Sequence, residues 1–412
     1  MTGLASRPAA IRADVDATVV NTHLHVPPNF CAFDSPEDAV ATAAREGIAV
    51  LGTSNFHDTR VYARIAAAAE VHGILPLHGL EIIASDEGLR REGILVNDPA
   101  NPGRFYLCGK GVDPFASATP EDAALRDRAR VADEVRAREM TALLCALLAD
   151  AGLVTTLTDE TIAVDVAERA GVPRAWVVLQ ERHVSMAYQE ALFRAGDVRW
   201  RRTVLARAFD GPPASDPDDP VAVQSEIRSR LMKAGRPAFV EETPISFGEA
   251  YRIVLGYGGI PCYPTLADGA SPVCAWEAPA TVLAERVLQR GAFVAELIPI
   301  RNDTTVVDEY VAAYRDAGIL VMAGTEHNTR VRIPMTPRCR GGGAPSPVSH
   351  AAFVEATRVV AAHQHLRAAG RVGYVDGDGA LAPGFPDGET RIRWFAELGA
   401  ELIRDRTLEA VR

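Results

Sequence analysis

Asn21-Thr22-His23-Leu24-His25 decides how this chain is read. It follows a short apolar run, residues 17–20, and together they predict a first β-strand over 18–23. Alternate residues of a strand project to one side. His23 and His25 therefore aim two imidazoles at one point near the strand's C-terminal end. Imidazole is a common ligand for zinc and other transition metals. A second His-x-His, His363 and His365, gives the contrast. It falls in 354–369, a stretch rich in Ala, Arg and Val that predicts a helix, where i and i+2 stand roughly 200° apart. Those two rings are not expected to share a metal, and both are expected at the surface.

Strand-like and helix-like segments alternate outward from the first motif. Ser35 as N-cap, Pro36 at the first helical position and Asp38 in the first turn predict a helix running to about Glu46 and stopping at Gly47. Strand candidates follow over 48–53 and 74–83, with an Ala-rich helix over 60–72 between them. The rhythm returns later, with strand candidates over 259–263, 292–300 and 319–324, each preceded by a helix. Such units predict an α/β fold on a parallel sheet or barrel, with reactive residues at strand C-termini. Val19, Val50, Leu51, Ile82, Ile260, Val294 and Val321 occupy strand interiors and are expected in the core. The middle of the chain changes character: helices are predicted over 123–150, 160–170 and 174–195, then a Pro- and Asp-rich loop over 210–220. Residues 115–240 read as a helical insertion that caps or flanks a barrel built from 15–114 and 241–412. A barrel of usual size takes roughly 250 residues, so an insertion accounts for most of the excess in a chain of 412. The last stretch, 385–412, predicts a surface helix.

Composition narrows the function classes. The net charge is −11, which argues against long nucleic acids as partners. Lys110 and Lys233 are the only lysines, so arginine carries nearly all positive charge. The six cysteines, Cys31, Cys108, Cys145, Cys262, Cys274 and Cys339, form no CxxC pair, and no disulfide framework is expected. Residues 1–14 lack the apolar core of a secretory leader, and no apolar run is long enough to span a membrane. A cytoplasmic protein is expected.

Polar residues recur at the ends of the strand candidates. His23 and His25 follow the first, Asn55, His57 and Asp58 the second, and Gly79-Leu80-Glu81 stands near the end of the third. Arg301-Asn302-Asp303 and Gly324-Thr325-Glu326-His327-Asn328 end two later ones. Converging at one barrel face, His23, His25, His57, Glu81, Glu326 and His327 would make a nitrogen- and oxygen-rich site for zinc, manganese or iron. Glu181-Arg182-His183 in the insertion reads either as part of a cap over that face or as a salt bridge along a helix.

With these motifs the chain resembles the PHP (polymerase and histidinol phosphatase) family, over roughly residues 17–110 and 174–330. The resemblance implies a distorted (β/α)7 barrel of PHP type with a helical insertion domain. It matches His23 and His25 to the family's first motif, His57 to the second, Glu81 to the third and residues 324–328 to the last. There are departures. Cys262-Tyr263-Pro264 stands where the family has Ala-His-Pro, and Ile94-Leu95-Val96 lacks a histidine expected after Glu81. The losses imply one or two divalent ions rather than three. His23, His25, Glu81 and Glu326 would hold one; His57, His327 and Asp34 would hold a second. Tyr263 would replace a ligand with a hydrogen-bond donor, or pack in the core. The implied activity is a metal-dependent hydrolase, a phosphoesterase acting on a small phosphorylated substrate through a metal-activated water. Arg301 is the first candidate to hold phosphoryl oxygens, with Arg60, Arg330 and Arg332 after it. The alternatives are a catalytically degenerate binding or regulatory protein, and a metal hydrolase of C–N or ester bonds.

Overall fold

The computed structural model describes residues 18–116 and 118–409. The expected barrel start at residue 15, the stretch 1–14 expected to lack a leader, and Ala17 lie outside the described residues. The chain begins with β1 (Val19–Asn21), α1 (Pro36–Arg45), β2 (Ile48–Phe56), α2 (Tyr62–His72), β3 (Leu75–Ser85), α3 (Glu87–Arg91) and β4 (Arg104–Lys110). Five helices follow: α4 (Pro120–Ala151), α5 (Asp159–Ala170), α6 (Glu181–Ala195), α7 (Val198–Ala208) and α8 (Pro220–Ile227). The sheet resumes with β5 (Ile245–Ser246), α9 (Phe247–Gly256), β6 (Ile260–Thr265), α10 (Ala280–Gln289), β7 (Val294–Leu297), α11 (Thr304–Asp316) and β8 (Leu320–Ala323). Two long helices, α12 (Pro347–Ala368) and α13 (Gly388–Glu409), end the described chain.

Seven strands run in the order β1-β2-β3-β4-β6-β7-β8, with the short β5 paired to β3. All neighbours are parallel except β4, which is antiparallel to β3 and β6. The two ends of the path meet through backbone bonds: Thr22 N–H to Ala323 O, Thr325 N–H to His23 O and His25 N–H to Glu326 O, each 3.0 Å. The result is a mixed α/β molecule with a nearly closed, barrel-like sheet. Glycine makes the closure possible, because a Cβ on Gly324 would overlap the Cβ of His23. Val50, Leu51, Ile82, Ile260, Val294 and Val321 are buried as expected, while Val19 at the strand start is only half-buried.

Helices α4 to α8 bury apolar faces of their own. Leu144, Leu148, Val184, Tyr188, Leu205 and Ile227 form one cluster, and Ile162, Val166, Val177 and Leu179 another. This layer lies over the barrel loops: Gln180 accepts from Phe30 N–H at 2.7 Å, and Arg60 donates to Ala175 O at 2.8 Å.

Several elements differ from the sequence reading. The strand after β3 is Arg104–Lys110, while residues 94–96 are loop. The helix expected over 174–195 is broken: a 3-10 turn at Arg174–Trp176 gives way to extended chain, and α6 starts after Gln180, whose N–H donates to His183 Nδ1 at 3.1 Å. The proline- and aspartate-rich loop ends in a helix start, with Asp219 as N-cap and Pro220 at N1 of α8. The last helix buries Phe395 and Ile403 and is not wholly a surface element. His363 is buried, contrary to expectation; its Nε2–H donates to Gly258 O at 2.7 Å and its Nδ1 accepts from Tyr374 N–H at 3.0 Å. Helix α12 packs both on the barrel strands and on α13, so little of its circumference meets solvent. His365 is exposed. No helix among the described residues is long and apolar enough to cross a membrane, and all six cysteines are unpaired.

Candidate active site

Beyond β1 the chain stays extended against β2, with Leu24 N–H bonded to Gly52 O and Ser54 N–H to Leu24 O, each 3.0 Å. Alternation then sends Leu24 outward into an apolar cluster and His23 and His25 inward. Glu81 faces them from β3. Its Oε2 lies 3.5 Å from His25 Nε2 and 3.9 Å from His23 Nε2. The three residues are 2%, 1% and 4% exposed in chain order, and one ligand atom from each lies within 4.8 Å of the others.

This group fits a divalent ion by the chemistry of its donors. His23 Nε2, both ring nitrogens of His25 and Glu81 Oε2 are buried with no hydrogen-bond partner. A buried polar atom left unsatisfied costs about 1–3 kcal/mol, so several gathered at one point need a common partner. Two imidazole nitrogens and a carboxylate oxygen are a usual three-residue set for a catalytic zinc-like ion. Burial, then the neighbouring His23, holds His25 well below the ordinary histidine range, so its ring is neutral and able to ligate. Burial, then the charge of Glu326, pushes Glu81 well above the usual carboxylate range.

Behind the group stands a charged pair that the sequence reading missed. Glu296 on β7 accepts from His23 Nδ1–H at 2.6 Å, which fixes the tautomer and turns Nε2 toward Glu81. Lys110 on β4 reaches Glu296 at 2.7 Å. Burial opposes the charge on each, but each answers the other: Lys110 and His23 bring Glu296 down to about 2, and Glu296 keeps Lys110 above the ordinary lysine range. The signals were one of only two lysines amid apolar residues, and a lone carboxylate within the apolar run 294–297.

A cavity of about 510 Å³ opens above this group, in the size range of small-molecule sites. Phe30, Phe56, Leu179 and Phe239 give it an apolar wall, and Tyr106 on β4 also lines it. Arg301 and Glu326 both line it, but they pair with each other. Glu326 sits at φ 64°, in the left-handed region, and its carboxylate goes to Arg301. Arg136, Arg228 and Lys233 share Glu181, while Arg104 binds Asp98 and Glu242. Arg182 differs. Among the described residues it has no carboxylate partner, only Asn328 Oδ1 at 3.5 Å. Burial and then Arg228 draw it down to about 10, which leaves it charged at neutral pH. Helix α6 thus sends a cation into the site.

The other expected site residues stand apart. His57 Nε2 lies 3.1 Å from Asp133 Oδ2, tying the end of β2 to α4. His327 has both ring nitrogens engaged, with Thr325 Oγ1 at 2.8 Å and Ile333 O at 2.9 Å, so neither is left to ligate. Tyr263 points out of the barrel, opposite in alternation to Cys262, and donates to Glu277 at 2.8 Å in the core. It touches neither the cavity nor the histidines, so its assignment as a catalytic group is corrected to a core role. Asp34 is exposed and pairs with Arg330; Arg332 binds Asp38 and Arg60 binds Asp58.

No protein-family model matches the sequence, and no curated relative matches it. Solved structures that share the fold include two hydrolases by name. An amidohydrolase from Chromobacterium violaceum, with bound sulfate and no metal, has a TM-score of 0.51 at 18% identity, over 78% of this chain and 94% of its own. A structure from Bifidobacterium adolescentis, named for metal-dependent phosphoesterase activity, has a TM-score of 0.51 at 17% identity, over 81% of this chain and 94% of its own. At these identities the likeness is one of fold.

Proposed function

We propose that the protein is a metal-dependent hydrolase of the PHP type that cleaves a small phosphorylated substrate. The observation that carries this is the pairing of an orphaned ligand set, His23, His25 and Glu81, with the unpaired cation Arg182 over one cavity. The names of the two fold neighbours, an amidohydrolase and a metal-dependent phosphoesterase, agree with a hydrolase on this barrel. A divalent ion (zinc, manganese or iron), when bound, lowers the pKa of a bound water toward ~7 and polarises the bond under attack. His23, His25 and Glu81 would hold it. Arg182 would take the substrate's non-bridging oxygens, with Arg301 beside it held in place by Glu326. The apolar wall excludes water and limits the substrate to a small molecule. The net charge of −11 and the carboxylates on the other cavity cations speak against long nucleic acids. A cytoplasmic setting fits the unpaired cysteines.

Hydrolysis of a C–N or ester bond is the second reading, favoured by the amidohydrolase name of one neighbour; there Arg182 would bind a substrate carboxylate. The test is metal content, with turnover on panels of phosphoesters and of amides and lactones. Metal-dependent phosphate release is expected, lost in His25→Ala together with the metal. In Arg182→Ala the metal stays and kcat/KM falls about 100-fold. Turnover of amides or lactones alone selects the second reading. Absence of metal, even after incubation with these ions, leaves a binding protein.

A further inference from the structure

Two groups of metal-capable side chains share His23. One is His23, His25 and Glu81; the other is His23, Cys108 and Glu296, deeper in the barrel. Taken alone, the second group has the donors for another ion, with a thiol to favour a soft one. It differs from the first in already containing a cation. The Lys110 ammonium, 2% exposed, lies 2.8 and 2.7 Å from the two Glu296 oxygens, 3.0 Å from Thr22 O and 3.1 Å from Ser54 Oγ. A carboxylate, a carbonyl and a hydroxyl around one positive charge are the partners a hard cation takes, and they satisfy the three donors of an ammonium. Both Glu296 oxygens are occupied, since Oε1 also accepts from Thr22 Oγ1 at 2.8 Å and Oε2 from His23 Nδ1–H at 2.6 Å. The first group is the reverse: its nitrogens and its Glu81 Oε2 are the unpartnered atoms.

We propose that Lys110 is a built-in cation in the place of a second metal ion, so that the barrel takes one ion, on the His25 side. The inference rests on the reading of His23, His25 and Glu81 as metal ligands. It assigns Cys108 as a thiol that meets no metal, and Lys110 as the group that sets the metal count.

The test is metal titration of the full chain with zinc and cobalt(II), read as bound equivalents and as the cobalt absorption spectrum. Wild-type protein is expected to bind one equivalent, with no thiolate-to-cobalt charge-transfer band. Lys110→Ala is expected to bind two and to gain that band, which Cys108→Ser in the same background removes. Lys110→Arg keeps one. Two equivalents or a thiolate band in the wild type overturn the proposal, as does a folded Lys110→Ala that still binds one. If Lys110→Ala does not fold, the wild-type stoichiometry and spectrum decide. A wild type that binds no metal overturns the metal-centre reading itself, and the proposal with it.

Discussion

Glu296 shows how one side chain can serve two neighbours. It orients His23 and neutralises Lys110, so replacing its charge acts on both. Glu296→Gln keeps the shape and leaves the buried ammonium without its counter-charge. Breaking one partner of a buried ion pair costs about 3–5 kcal/mol, and losing a carboxylate behind a ligating histidine weakens metal affinity roughly 10–100-fold. Both losses are expected, read by urea unfolding and by competition with a metal chelator. Unchanged affinity in a folded variant would mean that His23 needs no such support. At this scale strand alternation paired His23 with His25 in the sequence reading, and the shared face of the strand ends brought Glu81 to them. His57, His327 and Tyr263 were legible as residue types but not as partners. Whether a ring nitrogen is free or already bonded to Asp133 or Ile333 depends on contacts far apart in sequence.

Strand ends position the site, and the segment after β8 closes tightly on the end of β1. Gly324 follows β8 and lies against His23, leaving no room for a Cβ. Gly324→Ala must push the two segments apart. Overpacking of this kind typically costs about 1–3 kcal/mol, and here the displaced group is a ligand. The expected result is lower stability together with metal loss, by denaturation and elemental analysis of the same sample. Full metal occupancy would show that the barrel closes with slack. The parallel strands were legible because each is a short apolar run bounded by a helix. Residues 104–110 escaped notice because Arg, Tyr and Lys interrupt the run, although the strand is buried on both neighbours. The split before α6 escaped as well, since the Gln180–His183 cap is not among the common N-cap pairs.

Across the molecule, helices α4 and α6 and strand β4 are joined by a chain of charges centred on Glu181. It binds Arg136 from α4 at 2.6 Å, and Arg228 and Lys233 beyond α8 at 3.1 and 2.6 Å. Arg136 continues to Glu242 at 3.2 Å, and Glu242 to Arg104 on β4 at 2.9 Å; Asp133 also faces this cluster from α4. Burial would raise Glu181, but Lys233, Arg136 and Arg228 outweigh it and hold the carboxyl down at about 2, against 4.5 in a free side chain. The folded state therefore gives up this charge later than the unfolded state as acid is added. The stabilisation, on the order of 3 kcal/mol, is complete above about pH 4.5 and drains away as pH falls toward about 2. Other carboxylates titrate in the same window, so the wild type is compared with Glu181→Gln. Their stability difference in urea is expected to be full at pH 6 and to shrink steadily below pH 4.5. A difference that stays level down to pH 2.5 would show that the cations find other partners. In that case Arg182, borne on the same helix turn, would owe its place over the cavity to apolar packing of α6 and not to this cluster.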